Sequence, residues 1–440
     1  MEIVLFLIII TAFLILTFLK FPKGVSFLLI STIVLLLSEK KFDIHVLIEG
    51  AFGYFDAVIT VLSAMIFVVA IERSGLLSHF ANILTKKFSS KPKLLLLFTT
   101  LLAMSGGMIT GSSSACILTT GAVAFPILKS IGLNNKKSGT IIAISSVLGM
   151  IAPPVNIQAM VICEGVDMPY VGFTYPLLWL TVPTALLVSL TIAGKDIQKP
   201  KIKENMQFKT KDVILYLPLM VLVALLILDS FEIFQLGLVL IFFVSAIIAI
   251  LCGKRKSSFV EVSLNAMEQS LPILAILVGV GMLIQVMTLS GVRGLIVASM
   301  LFFPYSILFL TLGLGVPMFG AVSSYGAASV LGIPFLLAFR GGNDILITSA
   351  ISLLAGLGDM LPPTALASTV SAQIVGLDSY VQILKKSIPF IIVIGVVSVI
   401  VTMYSFKLVK VLSNPWWFLG IVGAIFVACI FDDVIFKRRK

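Results

Sequence analysis

The stretch AISSVLGMIAPP at residues 143–154 is matched by AISLLAGLGDMLPP at residues 350–363, about 210 residues later. Both stretches are apolar and end in a proline pair, Pro153-Pro154 and Pro362-Pro363. A proline inside a helix removes a backbone donor, and its ring clashes with the carbonyl four residues back. The sequence therefore predicts two helices, each broken at its proline pair, in corresponding places of a repeated chain.

Further matches extend the repeat on both sides of the proline pairs. Gly165-Val166-Asp167 corresponds to Gly376-Leu377-Asp378, and Ser113-Ser114 corresponds to Ser323-Ser324. The order and spacing of these segments are kept, which indicates an internal duplication. We place the first repeat at 1–194, a cytoplasmic loop at 195–212, the second repeat at 213–406, and an additional helix with a basic tail at 407–440.

The composition limits the class of protein. Of the 440 residues, 59% are hydrophobic and 12% are charged, whereas about 25% are charged in typical soluble proteins. The mean hydropathy is +1.16, and many apolar runs approach the ~20 residues that cross a bilayer as a helix. The chain is therefore predicted to be an all-α polytopic membrane protein, which excludes soluble, secreted, disordered and nucleic-acid-binding classes.

Apolar runs predict about eleven transmembrane helices and two re-entrant hairpins. The hairpins are the apolar stretches 94–131 and 305–339, which small polar residues interrupt at Gly111-Ser112-Ser113-Ser114 and at Ser323-Ser324-Tyr325-Gly326. The crossings are predicted at 3–19, 25–38, 58–71, 138–163, 172–193, 213–228, 236–252, 270–288, 345–375, 388–406 and 416–436.

Basic residues predict the orientation. Most of the 31 Lys and Arg residues fall on one side of this topology, the side that carries Lys254-Arg255-Lys256 and the C-terminal tail. Short cytoplasmic loops are enriched in Lys and Arg, so the N-terminus is placed outside and the C-terminus inside a bacterial or archaeal inner membrane. An odd number of crossings in each half inverts the second repeat, and the two hairpin tips then converge near the midplane, as in secondary transporters.

Polar residues at the breaks and tips form the predicted site. Freed carbonyls are tolerated in a membrane only where protein or a water-filled cavity satisfies them, and hydroxyl and carbonyl oxygens suit a hard cation such as Na⁺. Asp359 is the acid deepest in a predicted span, where it could bind a cation or relay a proton. The predicted ion- and substrate-binding residues are Gly111, Ser112, Ser113, Ser114, Ser323 and Ser324 in the tips, and Pro153, Pro154, Asn156, Gln158, Asp359, Pro362, Pro363 and Thr364 in the broken helices.

These motifs resemble a known family. The first half is similar to the signature of the large membrane subunit of tripartite ATP-independent periplasmic (TRAP) transporters, the DctM type. The similar residues are Gly111-Ser112-Ser113-Ser114-Ala115, Gly121, Pro126, Lys129 and Gly132, followed by Gly149 and Pro153-Pro154. The second half, up to Pro362-Pro363 and Pro389, is similar too. The resemblance covers most of residues 56–406.

The resemblance implies a scaffold and a mobile transport domain that work as an elevator. It also implies coupling to Na⁺, organic acids such as C4-dicarboxylates or sialic acid as substrates, and no organic cofactor. By the same resemblance one Na⁺ lies near Ser113 and Asn156, and another near Ser324 and Thr364. The implied partners are a small four-helix membrane subunit and a periplasmic substrate-binding protein.

Other functions stay open at this point. Helix 416–436 extends past the usual end of the family, and the second tip, Ser323-Ser324-Tyr325-Gly326, matches it poorly. A stand-alone symporter of the same superfamily therefore stays open as the alternative. A channel could also use hairpins and broken helices. Gly356-Leu357-Gly358-Asp359 reads as the GxGD motif of an intramembrane aspartyl protease, but that chemistry needs a second intramembrane Asp. We therefore expect a transporter and not an enzyme.

Overall fold

Helices build the described chain. In this computed structural model the described residues are 1–38, 43–200, 214–230, 236–253, 258–339 and 341–438, and no β-strand occurs within these ranges. The predicted basic cluster Lys254-Arg255-Lys256 and residues 201–212 of the predicted cytoplasmic loop lie outside the described residues, as do Arg340 and the last two residues of the tail.

The first half consists of eleven helices, two of which are joined by a π-helical turn at Ile117–Gly121. They are α1 (Glu2–Phe18), α2 (Lys23–Leu37), α3 (Ile44–Phe52), α4 (Phe55–Ser74), α5 (Leu76–Lys87), α6 (Pro92–Thr110), α7 (Ser113–Cys116), α8 (Ala122–Ser130), α9 (Asn135–Ile151), α10 (Ile157–Glu164) and α11 (Thr174–Ala193). Helices α6 and α7–α8 form the first hairpin, and α9 and α10 form the first broken helix.

The second half repeats this order of elements, with its π-helical turn at Ala328–Gly332. Its helices are α12 (Leu217–Ser230), α13 (Gly237–Cys252), α14 (Phe259–Leu289), α15 (Val292–Leu301), α16 (Tyr305–Gly320), α17 (Ser324–Ala327), α18 (Ile333–Ala338), α19 (Asp344–Leu357), α20 (Leu366–Val375), α21 (Val381–Met403) and α22 (Ser405–Leu412). Helix α23 (Pro415–Arg438) follows outside the repeat. The pair α3 and α4 corresponds to the single long helix α14, and α22 has no counterpart in the first half.

The prediction of an all-helical membrane fold is confirmed. Each predicted span coincides with a helix or with the two parts of a broken helix, and seven described helices are long and apolar enough to cross a membrane. The short helices α3, α5, α15 and α22 were not predicted. They are only 8 to 12 residues long and have polar residues on one face, so none of them contains a continuous apolar run. Helix α14 is also longer than expected, since its first turns are polar.

The predicted register between the two hairpin tips is wrong by one residue. Ser112 and Ser323 are the N-cap residues of α7 and α17, and each side chain accepts a hydrogen bond from the backbone three residues on. Ser112 therefore corresponds to Ser323, and Ser113 corresponds to Ser324. The sequence comparison aligned Ser113-Ser114 with Ser323-Ser324 because the first tip contains three serines and the second contains two.

Helices α2 and α14 lie unusually close together, and this contact fixes one wall of the site. A Cβ atom added to Gly24 would lie 2.6 Å from the backbone of Ala275, and one added to Gly279 would lie 2.7 Å from the carbonyl oxygen of Gly24. Small residues permit this approach in membrane helices, where dispersion contacts stabilise the pair. The N-terminus of α2 is therefore held against the middle of α14.

Candidate functional site

Each hairpin turns over at a few non-helical residues. In the first tip Gly111 adopts a left-handed backbone conformation with φ of 61°, which glycine tolerates without a steric penalty. Ser112 then caps the next helix by accepting a hydrogen bond from the backbone nitrogen of Ala115 at 3.4 Å. In the second tip Ser323 accepts from the nitrogen of Gly326 at 3.1 Å. Two helix beginnings are thus presented in the interior of the protein.

Both predicted helix breaks are present, and each is hydrogen-bonded near the end of the first hairpin helix of its own half. The peptide bonds Pro153-Pro154 and Pro362-Pro363 are both cis. Directly after the first pair, the backbone nitrogen of Val155 donates to the carbonyl oxygen of Met108 at 3.2 Å. At the second pair, the Thr364 hydroxyl donates to the carbonyl oxygen of Ala321 at 2.6 Å. These bonds satisfy polar groups that the breaks and turns would leave open.

Hydrogen bonds also join the two halves of the chain. The Ser113 hydroxyl donates to Oδ2 of Asp359 at 2.5 Å, so the first tip binds the second broken helix. The Tyr325 hydroxyl, in the second tip, donates to the carbonyl oxygen of Gly111 at 3.0 Å. Residues that are more than 200 positions apart in sequence therefore meet at a single place.

The first break is tied to the second half as well. Asn156 is fully buried, and its amide nitrogen donates to the Ser352 hydroxyl and to the carbonyl oxygen of Ile151, both at 2.9 Å. Its side-chain oxygen caps α10 by accepting from the nitrogen of Ala159 at 2.9 Å. Both amide hydrogens and the side-chain oxygen thus have protein partners, and this residue holds the break in place.

A cavity of about 340 Å³ lies beside the two tips. This volume falls in the range of small-molecule sites, roughly 300–1,000 Å³. The tips and Asp359 contribute part of its lining, and the N-terminus of α2 and the middle of α14 contribute most of the rest. Its lining comprises Pro22, Lys23, Gly24, Val25, Ser112, Ser113, Ser114, Pro272, Ile273, Ala275, Ile276, Ser323, Ser324, Tyr325, Asp359 and Leu366.

The predicted site residues divide into two groups in the structure. Asp359 and the tip serines, Ser112 to Ser114, Ser323 and Ser324, line the cavity. The others, Gly111, Pro153, Pro154, Asn156, Gln158, Pro362, Pro363 and Thr364, form the turns and breaks behind it. Gln158 is fully buried and donates to the sulfur of Met150 at 3.4 Å, away from the cavity lining.

Sequence reasoning missed the two other lining residues with polar side chains, Lys23 and Tyr325. Lys23 looked like one more basic residue in the short connection after the first span, but it is the first residue of α2 and faces the cavity. Tyr325 was visible inside the second tip but had no assigned role, although a tyrosine among small residues is a signal for a hydrogen bond. Lys23 gave no comparable signal, since its position depends on the contact between α2 and α14.

The cavity combines one carboxylate, one ammonium group and several hydroxyl groups with an apolar wall. Such a lining can bind a small anion and an oxygen-coordinated cation at the same time, because the two charged groups attract ions of opposite sign. Within the described ranges, no group of three or more His, Cys, Asp and Glu side chains could hold a metal ion. Asp359 is the one acid in the cavity lining, which does not favour the paired aspartates of a protease.

The fold of this chain is similar to that of a known transporter, and its sequence matches a known family. The crystal structure of the YdaH transporter of Alcanivorax borkumensis is similar to this chain with a TM-score of 0.59, covering 81% of this chain and 86% of that one at 12% sequence identity. A comparison with curated proteins finds no match. The family described as the DctM component of the tripartite ATP-independent periplasmic transporter matches residues 10–406. With both hairpins and both broken helices inside that range, the chain belongs to the DctM family of transporter components.

Proposed function

We propose that this chain is the large permease subunit of a Na⁺-coupled secondary transporter that carries a small organic anion, such as a C4-dicarboxylate, across the inner membrane. The observation that carries the proposal is the hydrogen bond between Ser113 and Asp359, which joins the two halves at the cavity between the tips. Broken helices and inverted repeats that meet at one polar site are the usual design of secondary transporters. Membership of the DctM family supports transport of organic acids.

The sodium sites are proposed at the two tips, one near Ser113 and Asn156 and one near Ser324 and Thr364. The donors there are hydroxyl and backbone carbonyl oxygens, which are the ligands that hard cations prefer. The Asp359 carboxylate lies at a hydrogen-bond distance of 2.5 Å from Ser113, so its negative charge attracts a cation to the first site. Helix beginnings at the same tips would favour the anionic substrate.

The proposed mechanism is an elevator. Helices α1–α4 and α12–α14 would form the scaffold, while the hairpins and broken helices would carry ion and substrate past it. The N-terminus would lie outside and the C-terminus inside. A small four-helix membrane subunit and a periplasmic binding protein are the proposed partners, with a stand-alone symporter as the second candidate because α23 lies beyond the family match, which ends at residue 406.

Sodium binding is testable on the purified protein without knowledge of the substrate. We expect Na⁺ to raise the unfolding temperature more than choline does at equal ionic strength, because a ligand that binds only the folded state stabilises it by about 2.7 kcal/mol at a hundredfold excess over Kd. Ser113→Ala should lose most of this increase, whereas Ser299→Ala, an exposed serine on α15, should keep it. Equal melting curves in Na⁺ and choline would contradict the sodium sites.

A further inference from the structure

One positively charged side chain, that of Lys23, lines the cavity. Lys23 is the first residue of α2 and is half-buried in the wall of the cavity. Within the described ranges its ammonium group has no hydrogen-bond or ion-pair partner. It interacts electrostatically with the Asp359 carboxylate, which lines the same cavity. Among the described residues, the Lys23 ammonium group therefore lies in the cavity without a carboxylate in direct contact with it.

Such a charge is unfavourable unless something pairs with it. Ionisable groups inside membrane proteins are costly and mark substrate or ion pathways when they are retained. Asp359 is already the acceptor of the Ser113 hydroxyl at 2.5 Å. Lys23 lines the same cavity as Asp359, so an anion bound in that cavity could contact the Lys23 ammonium group.

The lining of the cavity indicates how an anion would lie there. Besides Lys23, it includes the apolar residues Ala275 and Ile276 of α14 and the hydroxyl groups of Ser112 and Ser114. A carboxylate at Lys23 would form a charge-assisted hydrogen bond. The carbon skeleton would cover the α14 wall, and a second polar group would reach the serines.

We infer that Lys23 binds a carboxylate of the transported organic anion and thereby sets the preference for acids over neutral analogues. The inference rests on the proposed function and adds the residue that recognises the substrate. It also explains how cation and anion share one cavity: a sodium ion beside Asp359 would remove the repulsion between that carboxylate and the substrate, while the Lys23 ammonium group attracts the substrate.

The test compares the full-length chain with three variants in proteoliposomes, together with partner subunits if the wild type requires them. Uptake of radiolabelled succinate, fumarate, lactate and sialic acid by the wild type selects the best substrate, which is then used for Lys23→Gln, Lys23→Arg and Lys20→Gln. Lys20 is exposed and lies in the connection before α2, so its substitution removes the same charge outside the cavity. Size-exclusion chromatography checks that every variant is folded.

We expect Lys23→Gln to raise KM at least about tenfold, since hydrogen bonds to charged groups contribute about 1.5–3 kcal/mol. Lys23→Arg should restore part of the affinity, and Lys20→Gln should behave as the wild type. The mono-amide of the chosen acid should compete relatively better in Lys23→Gln, which a purely structural role would not produce. An unchanged KM and acid-to-amide preference in Lys23→Gln would overturn this inference alone, whereas no uptake of any acid by the wild type would overturn the proposed function and the inference with it.

Discussion

Replacement of Asp359 by Asn should remove most of the transport activity and leave the protein folded. Asp359 is buried, with 6% of its surface exposed, and it accepts the Ser113 hydroxyl at 2.5 Å. Asparagine keeps the shape and an acceptor oxygen but loses the negative charge. Because hydrogen bonds to a charged group are worth about 1.5–3 kcal/mol, the initial rate of Na⁺-driven uptake should fall roughly tenfold to a hundredfold.

The same substitution at an exposed aspartate provides the matched control. Asp344 lies in the first turn of α19, on the surface, and Asp344→Asn should transport at the wild-type rate. If Asp359→Asn also transported at the wild-type rate, Asp359 would be a polar residue that only stabilises the end of the broken helix. Thermal unfolding of both variants separates a loss of activity from a loss of folding.

Substitution of Gly358 by Ala should damage the folded protein more than any change on the cavity surface. Gly358 follows α19 and lies against the backbone of Gly320, at the end of α16, so closely that a Cβ atom would overlap it. The two backbones must separate to make room. Overpacking of this kind typically lowers the free energy of unfolding by about 1–3 kcal/mol. The atoms that the new Cβ would meet belong to the backbone, which cannot move aside as a flexible side chain can.

The second tip would be displaced together with the end of α16, since the turn at Ala321 follows Gly320 directly. We therefore expect Gly358→Ala to lower both the unfolding temperature and the yield of monodisperse protein. Gly315→Ala is the control, because a Cβ atom there meets nothing within 4 Å and alanine favours a helix over glycine. Wild-type stability of Gly358→Ala would show that α16 and α19 are not held at this close distance.

Hydropathy and proline were sufficient to predict the main elements. The broken helices follow from Pro153-Pro154 and Pro362-Pro363, whose missing donors and ring clashes act locally. The hairpins follow from polar residues inside apolar stretches that are too long for one crossing. These features do not depend on tertiary contacts, so one sequence reveals them. The resemblance to the DctM family, read from the same motifs, is confirmed by the family match over residues 10–406.

The contacts between the two repeats could not be predicted from the sequence. No hydrogen-bond partner was predicted from the sequence for Ser113 or Asn156, whereas in the structure Ser113 bonds to Asp359 and Asn156 bonds to Ser352. Such pairings depend on how the two repeats pack together, and no local pattern encodes that packing. Lys23 is the clearest example, because only the close approach of α2 to α14 brings it to the cavity.

The most direct test of the transport site is uptake by the purified chain in proteoliposomes, with an inward Na⁺ gradient and with the gradient replaced by choline. We expect radiolabelled organic acid to accumulate only with the Na⁺ gradient, either for the chain alone or after addition of a small membrane subunit and a binding protein. Ser113→Ala and Asp359→Asn should reduce that accumulation. Uptake that is equal with and without the Na⁺ gradient, and unchanged in both variants, would contradict a Na⁺-coupled site between the hairpin tips.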